Sequence, residues 1–330
     1  MSIRILATGS YVPERILSNA DLEKMVDTND EWIRTRTGIQ YRHLGEPEQA
    51  SSDLATKAAE RALQKAGLTG KDLDAILVAT VTPDHMFPST ACIVQKNIGA
   101  AGALCFDMAA ACSGLIFALQ TGYSLIKATP SIYRRILVIG AEMPTRMVDW
   151  TNRNTCVLFG DGAGAVILGL DEADNGPDFL VASDLHTDGT YGDLLKLPAG
   201  GSRMPTTAET VANKMHYMHM EGREVFKNAV AGMVGSSRAT LERAGVAVSD
   251  VRWVIPHQAN IRIIDAVSSR LGASAEQLYT NIDRMGNTSA ASIGICLDEL
   301  ANDGKLVSGD QVLITAFGGG LTWGAMLIRW

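Results

Sequence analysis

The two halves of this chain repeat one another at a nearly constant spacing, and a duplicated unit restricts the fold more than any single motif. Ala62-Leu-Gln-Lys-Ala-Gly-Leu68 is followed by Asp72-Leu73 and the apolar run Ile76–Val78. Thr240-Leu-Glu-Arg-Ala-Gly-Val246, Asp250-Val251 and Val254-Ile255 repeat that order 178 positions later. Each copy reads as helix, glycine stop, short loop and buried strand: Leu54, Ala55, Ala58, Ala59, Ala62, Leu63 and Ala66 lie on one helical face, and Gly67 supplies a left-handed cap. Arg135–Ile139 answers Gln311–Thr315 at 176, and Gly164–Leu168 answers Gly324–Ile328 at 160, so the second copy has lost a loop. Buried strands alternating with helices imply two α/β halves around a pseudo-twofold axis, divided near residue 175 into 1–175 and 176–330. Residues 171–222, rich in Gly, Pro, Thr and Asp, read as long loops over the surface or the entrance to an active site.

Cys112 lies in Ala109-Ala-Ala-Cys-Ser-Gly114 at the head of an uncharged stretch from Met108 to Ile126. Its Ser, Thr, Gln and Gly residues deny it the continuous apolar core of a membrane span and suit a helix buried inside a soluble protein. A cysteine at a helix start is expected to be pushed toward thiolate by unpaired N–H groups and the helix dipole. At an offset of 175, Cys112 falls opposite Asn287, and both are expected to open a helix after a strand. His257 lies just past the buried strand Val251–Pro256. Ligands gather beyond the carboxyl ends of strands in open α/β sheets, so all three side chains are placed at one crevice. A thiolate nucleophile with neutral imidazole and carboxamide donors suits acyl transfer through a thioester.

With 46% hydrophobic and 20% charged residues, the 330-residue chain has the composition of a soluble globular protein of about two domains. A net charge of −7 disfavours nucleic-acid and membrane-surface binding. The N-terminus lacks an apolar segment long enough for a signal peptide. Five cysteines without C-x-x-C spacing point to a reducing cytoplasm and away from zinc or a disulfide framework. Gly160-Asp-Gly-Ala-Gly164 precedes a strand instead of opening a helix, which excludes it as a dinucleotide fingerprint. Gly318-Gly-Gly320 lies between two strands; it is no P-loop, but its backbone could complete an oxyanion hole.

Ala-Cys-Ser-Gly (111–114), Pro-His-Gln-Ala-Asn (256–260), Gly-Asn-Thr-Ser-Ala-Ala-Ser (286–292) and Phe-Gly-Gly-Gly (317–320) together resemble the β-ketoacyl-acyl-carrier-protein synthase III family. The resemblance runs from Asn-Asp-Glu-Trp-Ile (29–33) to Thr-Trp-Gly-Ala (322–325). It implies a thiolase-like α/β fold, five layers in αβαβα order, built from two duplicated halves in a homodimer. It also implies that acetyl or another short acyl group passes from coenzyme A to Cys112, with the N–H groups of Cys112 and Gly319 holding the thioester oxygen. Malonyl-acyl-carrier-protein then loses carbon dioxide while His257 and Asn287 hold its thioester oxygen, Phe317 excludes water, and the carbanion attacks acyl-Cys112. No metal or redox cofactor is implied, coenzyme A thioester being a substrate.

By the same resemblance, Trp32 and Arg153 flank the adenine of coenzyme A, with Thr28 and Arg36 nearby, and Gly222, Phe226 and Asn260 line the pantetheine arm. Phe87 crosses the dimer interface to close the partner's acyl pocket, which predicts a primer from acetyl to butyryl or a short branched chain. Arg223, Lys227, Arg262 and Arg270 form a basic cluster for an acidic carrier protein. The nearest rival within the fold is a starter-unit ketosynthase of a polyketide, quinolone or olefin pathway. A degradative thiolase would place a second cysteine where Asn287 stands, and a catalytically silent scaffold would lack the intact triad.

Overall fold

The computed structural model describes residues 1–171 and 176–330, so the boundary expected near residue 175 lies outside the described residues. The first half contributes strands β1 (Ser2–Tyr11), β2 (Ala75–Ala79), β3 (Leu104–Met108), β4 (Arg135–Glu142) and β5 (Gly162–Asp171). Their order in the sheet is β1-β5-β4-β2-β3, with β4, β2 and β3 parallel and β5 antiparallel to both neighbours. The second half contributes β6 (Leu180–Thr187), β7 (Trp253–Pro256), β8 (Gln311–Gly318) and β9 (Thr322–Arg329) in the order β6-β9-β8-β7. β7 runs parallel to β8, β9 is antiparallel to both neighbours, and Leu278 makes a parallel bridge to Val254 where β3 would stand. The two sheets thus share one strand order and one pattern of directions, as the repeat requires.

Seven helices complete the layers: α1 (Asp30–Thr37), α2 (Ser51–Ala66), α3 (Thr90–Asn97), α4 (Gly114–Ala128), α5 (Gly222–Ala244), α6 (Ile261–Leu271) and α7 (Ser292–Asn302). The period-2 alternation of the strands divides the core. Ile76 and Val78 of β2, with Leu137 and Ile139 of β4, pack under α2 and α3. Leu77, Ile136 and Val138 face the other way, onto Leu115, Ile116 and Leu119 of α4. Leu313 and Leu327 pack under α5 and α6, whereas Ile314, Met326 and Ile328 turn inward to the cluster that holds α4 and α7. The result is the expected αβαβα order, with α4 and α7 as the middle layer.

This arrangement accounts for the uncharged stretch around Cys112. From Gly114 to Tyr123 no residue of α4 is exposed, because sheets cover both of its sides. Among the described residues no helix is long and apolar enough to cross a membrane. Helices α2 and α5 end on Gly67 (φ 66°) and Gly245 (φ 65°), each donating its N–H back to the last turn, as the glycine stops predict. The reading of residues 171–222 as loops needs correction, because β6 lies there as the edge of the second sheet. Its polar Ser183, Asp184 and His186 conceal a strand that is only half-buried. A short ladder, Leu195–Lys196 with His219–Met220, occupies the same segment.

Candidate active site

Cys112 sits in a tight 3-10 turn, Ala111–Ser113, between β3 and α4. Ala111 adopts φ 45°, a left-handed conformation costly for a residue with a side chain. The second half has the same elbow: Ser289 has φ 49° and opens the 3-10 turn Ser289–Ala291 before α7. The two residues are 178 apart, so the structural counterpart of Cys112 is Ala290. The expected equivalence of Cys112 with Asn287 is therefore out of register by three. Sequence matching aligned a polar motif with a nucleophile, whereas the backbone aligns the elbows. Two glycines, also 178 apart, fix the crossing: a Cβ on Gly318 would lie 2.6 Å from the Cys112 amide nitrogen, and one on Gly140 would lie 2.2 Å from the Ala290 carbonyl oxygen. Each half's elbow is pressed by a strand end of the other half.

The thiol is not held ionised, contrary to the expectation from its helix-start position. Burial pushes it up to about 12, the Glu142 carboxylate adds to the rise, and hydrogen bonding with Ser289 opposes it. Ser289 Oγ lies 3.4 Å from Cys112 Sγ and 2.9 Å from Glu142 Oε1. Glu142, fully buried at the end of β4, accepts on Oε2 from the Val81 and Thr82 amides (3.1 Å each) and the Thr80 and Thr82 hydroxyls (3.1 and 2.5 Å). Burial raises its pKa while these donors oppose the rise.

His257 follows β7 directly, its amide bonded to Thr315 O on the neighbouring strand. It is buried, and desolvation pushes its pKa down to about 3, so the ring is neutral. Its Nδ1 lies 2.8 Å from Ser292 Oγ in the first turn of α7. When that hydroxyl donates, Nδ1 is the acceptor and Nε2 carries the proton. Asn287 Oδ1 accepts the Ser289 N–H at 2.9 Å, which leaves its NH₂ for a ligand. The Asn287 backbone is held in a parallel bridge with Phe159, its amide to Leu158 O and its carbonyl from Gly160 N. A Cβ on Gly160 would stand 2.5 Å from Met285 O, so the glycine at this position lets two backbones meet.

These groups share one cavity of about 770 Å³, lined by Cys112, His257, Asn287, Ser289, Phe317 and Gly319 together with Trp32, Arg36, Gly222, Arg223, Phe226, Asn260 and Arg262. Asn260 also caps α6, its Oδ1 accepting from Ile263 N. Trp32 lies between two guanidinium groups, with Arg36 and Arg153 each 4.9 Å from the ring centroid. Arg153 and Thr28 do not line the cavity; the Thr28 hydroxyl is buried and has no hydrogen-bond partner among the described residues. Arg262 rests over Phe226 at 5.8 Å. Lys227 is exposed beside Glu224, and Arg270 stands about 12 Å along α6 from Arg262, so neither adds to the lining. Of the expected basic cluster, Arg223 and Arg262 line the cavity. Phe87 is 86% exposed and away from this chain's own cavity. Sequence reasoning assigned no role to Ser289, Ser292 or Glu142, although Ser289 and Ser292 lie inside the 286–292 motif and a carboxylate ending a buried strand is itself a signal.

Two family profiles match the chain: 3-oxoacyl-[acyl-carrier-protein] synthase III over residues 106–189 and its C-terminal counterpart over 241–330. A β-ketoacyl-[acyl-carrier-protein] synthase III of Caldanaerobacter subterraneus subsp. tengcongensis is 53% identical over 326 residues, covering 99% of this chain and 97% of its own. The crystal structure of 3-oxoacyl-[acyl-carrier-protein] synthase III from Aquifex aeolicus VF5 is similar over the whole of both chains, with TM-score 0.90 and 46% identity. The priming β-ketosynthase of the R1128 polyketide pathway is similar over 99% of this chain and 96% of its own, with TM-score 0.89 and 33% identity.

Proposed function

The chain belongs to the 3-oxoacyl-acyl-carrier-protein synthase III family, and from that premise we propose how its residues carry out decarboxylative condensation at the start of fatty acid synthesis. It is an acyltransferase. The observation that carries the residue assignments is the convergence on one cavity of the Cys112 elbow, a neutral His257 and the free NH₂ of Asn287. Cys112 takes a short acyl group from coenzyme A, the Cys112–coenzyme A exchange passing through a tetrahedral oxyanion held by the amides of Cys112 and Gly319. Malonyl-acyl-carrier-protein then binds with its thioester oxygen toward His257 Nε2 and Asn287 Nδ2. These donors stabilise the enolate as carbon dioxide leaves, and the carbanion attacks acyl-Cys112 to release a β-ketoacyl carrier. Neither half-reaction transfers electrons to an external acceptor, so no redox cofactor is called for.

Trp32, Arg36 and Arg153 form the coenzyme A entrance in this reading, with Thr28 beside them and Gly222, Phe226 and Asn260 along the pantetheine arm. Arg223 and Arg262 lie where an acidic carrier would meet the cavity. The homodimer is supported by the first sheet's open edge: β3 is only half-buried, and Met86 and Phe87 stand 81% and 86% exposed on the same half. Five free cysteines suit a reducing cytoplasm. The test is intact-protein mass spectrometry after incubation with acetyl-coenzyme A, followed by malonyl-acyl-carrier-protein. An acetyl adduct that is absent in Cys112→Ala and discharged by the malonyl carrier is expected. Failure of Cys112 to take an acyl group from any acyl-coenzyme A would overturn the assignment.

A further inference from the structure

One buried carboxylate near the nucleophile has no part in the reaction as described above. Glu142 is fully buried and reaches the cavity lining through the Val81 amide and, beside the nucleophile, through the Ser289 hydroxyl. That hydroxyl has one proton and two neighbours, Glu142 Oε1 at 2.9 Å and Cys112 Sγ at 3.4 Å. A carboxylate is the stronger acceptor, and Oε2 is already surrounded by four donors, so Glu142 is a pure acceptor and the Ser289 proton goes to Oε1. In that state the lone pair of Ser289 Oγ faces the sulfur and can accept the thiol proton; turned the other way, the hydroxyl donates to the sulfur, the direction in which it opposes the rise of the thiol.

The duplication supplies a second, independent observation. Counting back 178 positions, Ser289 corresponds to Ala111, and counting forward, Glu142 corresponds to Gly320. The hydroxyl–carboxylate pair therefore occurs at one of the two equivalent crossings, on the side where the elbow of one half meets the thiol of the other. A purely structural requirement of the fold would recur at both.

We propose that Ser289 and Glu142 form a proton relay that deprotonates Cys112 for acylation and returns the proton to the departing coenzyme A. The inference rests on the acyltransferase reading above. As the Sγ–C bond forms, the S–H bond breaks and its proton passes to Ser289 Oγ, while the Ser289 proton passes to Glu142 Oε1. Collapse of the tetrahedral intermediate breaks the bond from carbon to the coenzyme A sulfur, and the same proton travels back through Ser289 to that sulfur. No net charge enters or leaves the site. The groups facing the relay are Thr80 and Thr82 from the loop after β2 and Cys112 from the first elbow. No cation pairs with Glu142 among the described residues, and His257 in the same cavity is kept neutral by burial.

The relay is tested with the full-length protein by following acetylation of Cys112 by acetyl-coenzyme A, using rapid quench and mass spectrometry, between about pH 6 and 9. Ser289→Ala is the principal variant, because Ala111 already occupies the same left-handed turn in the first half. Glu142→Gln is the second. The wild-type rate is expected to be nearly independent of pH. Both variants are expected to be slowed about 100-fold at pH 7 and to recover about tenfold per pH unit as solvent takes over the base's role. A Ser289→Ala rate equal to wild type, or slowed by the same factor at every pH, overturns the relay. A wild-type protein that accepts no acyl group overturns the acyltransferase reading instead.

Discussion

Cys112 sits where two effects oppose one another. Its place before α4 favours the thiolate by about 1 kcal/mol, up to ~2 in favourable geometry, while moving a thiol from 9.0 to about 12 disfavours it by about 4 kcal/mol. Burial wins, and left alone only roughly one thiol in 10⁵ would be ionised at pH 7, which is why a neighbouring acceptor matters. His257 is governed by the same balance without a carboxylate, and its consequence is a pH dependence of stability. Its folded value is about 3 against 6.5 unperturbed, so between those values the unfolded chain binds a proton that the folded chain refuses. Stability therefore falls as pH drops from about 6.5 toward 3, and His257→Gln should flatten that part of the urea-midpoint profile. An unchanged slope in the variant would show that other groups carry it. The convergence of Cys112, His257 and Asn287 on one cavity was legible in the sequence, Cys112 and His257 because each follows a strand; Asn287 follows the short helix Ile282–Met285 instead. Ser289 was not legible, because a serine beside a serine-rich turn carries no distinguishing pattern; its left-handed elbow and its 3.4 Å contact with Cys112 are visible only in the structure.

Among the secondary elements, glycine supplies the sharpest predictions, because its two uses here separate cleanly. Gly67 and Gly245 cap α2 and α5 with φ near 65° and have open space where a Cβ would go. Alanine at either position should cost only the left-handed penalty of about 1 kcal/mol, equally in both halves and additively, as read from urea unfolding. Gly318 is the opposite case: its φ is unremarkable, but a Cβ would stand 2.6 Å from the Cys112 amide nitrogen. Gly318→Ala must shift the elbow and with it the Cys112 amide, the proposed oxyanion donor, and a displacement approaching 1 Å costs about 100-fold in rate. Acylation should fall by that factor while circular dichroism stays near wild type; full activity would place the elbow farther from β8 than described. The helices with glycine stops were readable from apolar period and cap together. β6 was not, because an edge strand with a half-exposed face lacks the apolar run that marks β2 and β4. The three-residue slip that set Cys112 opposite Asn287 has a similar cause, since a turn's φ angles leave little trace in residue type.

The molecule as a whole holds its two halves in one core. α7 of the second half packs on the first sheet, and its buried Asp298 accepts from Thr8 and Ser10 and pairs with Lys65, all of the first half. The duplicated architecture was legible in the sequence, but this interlocking was not, because periodicity gives the faces of elements and not their partners. The candidate site inherits the interlocking, with Cys112 from one half and His257, Asn287 and Ser289 from the other. What one chain leaves unfinished is the edge at β3, whose outer side has no strand partner among the described residues, and the exposed Phe87 ring on the same half. A second copy joined through this edge would bury both and bring Phe87 to the partner's acyl pocket. Because Phe87 does not line its own chain's cavity, the proposed dimer is the route by which Phe87→Ala would change acyl-chain preference. The wild-type protein should use acetyl- and isobutyryl-coenzyme A and turn over octanoyl-coenzyme A poorly. Phe87→Ala, still dimeric by sedimentation, should gain at least tenfold on octanoyl relative to acetyl, since removing a buried ring opens room worth about 1–3 kcal/mol per excluded segment. Efficient octanoyl use by the wild type, or an unchanged preference in a dimeric variant, would remove Phe87 from the acyl pocket.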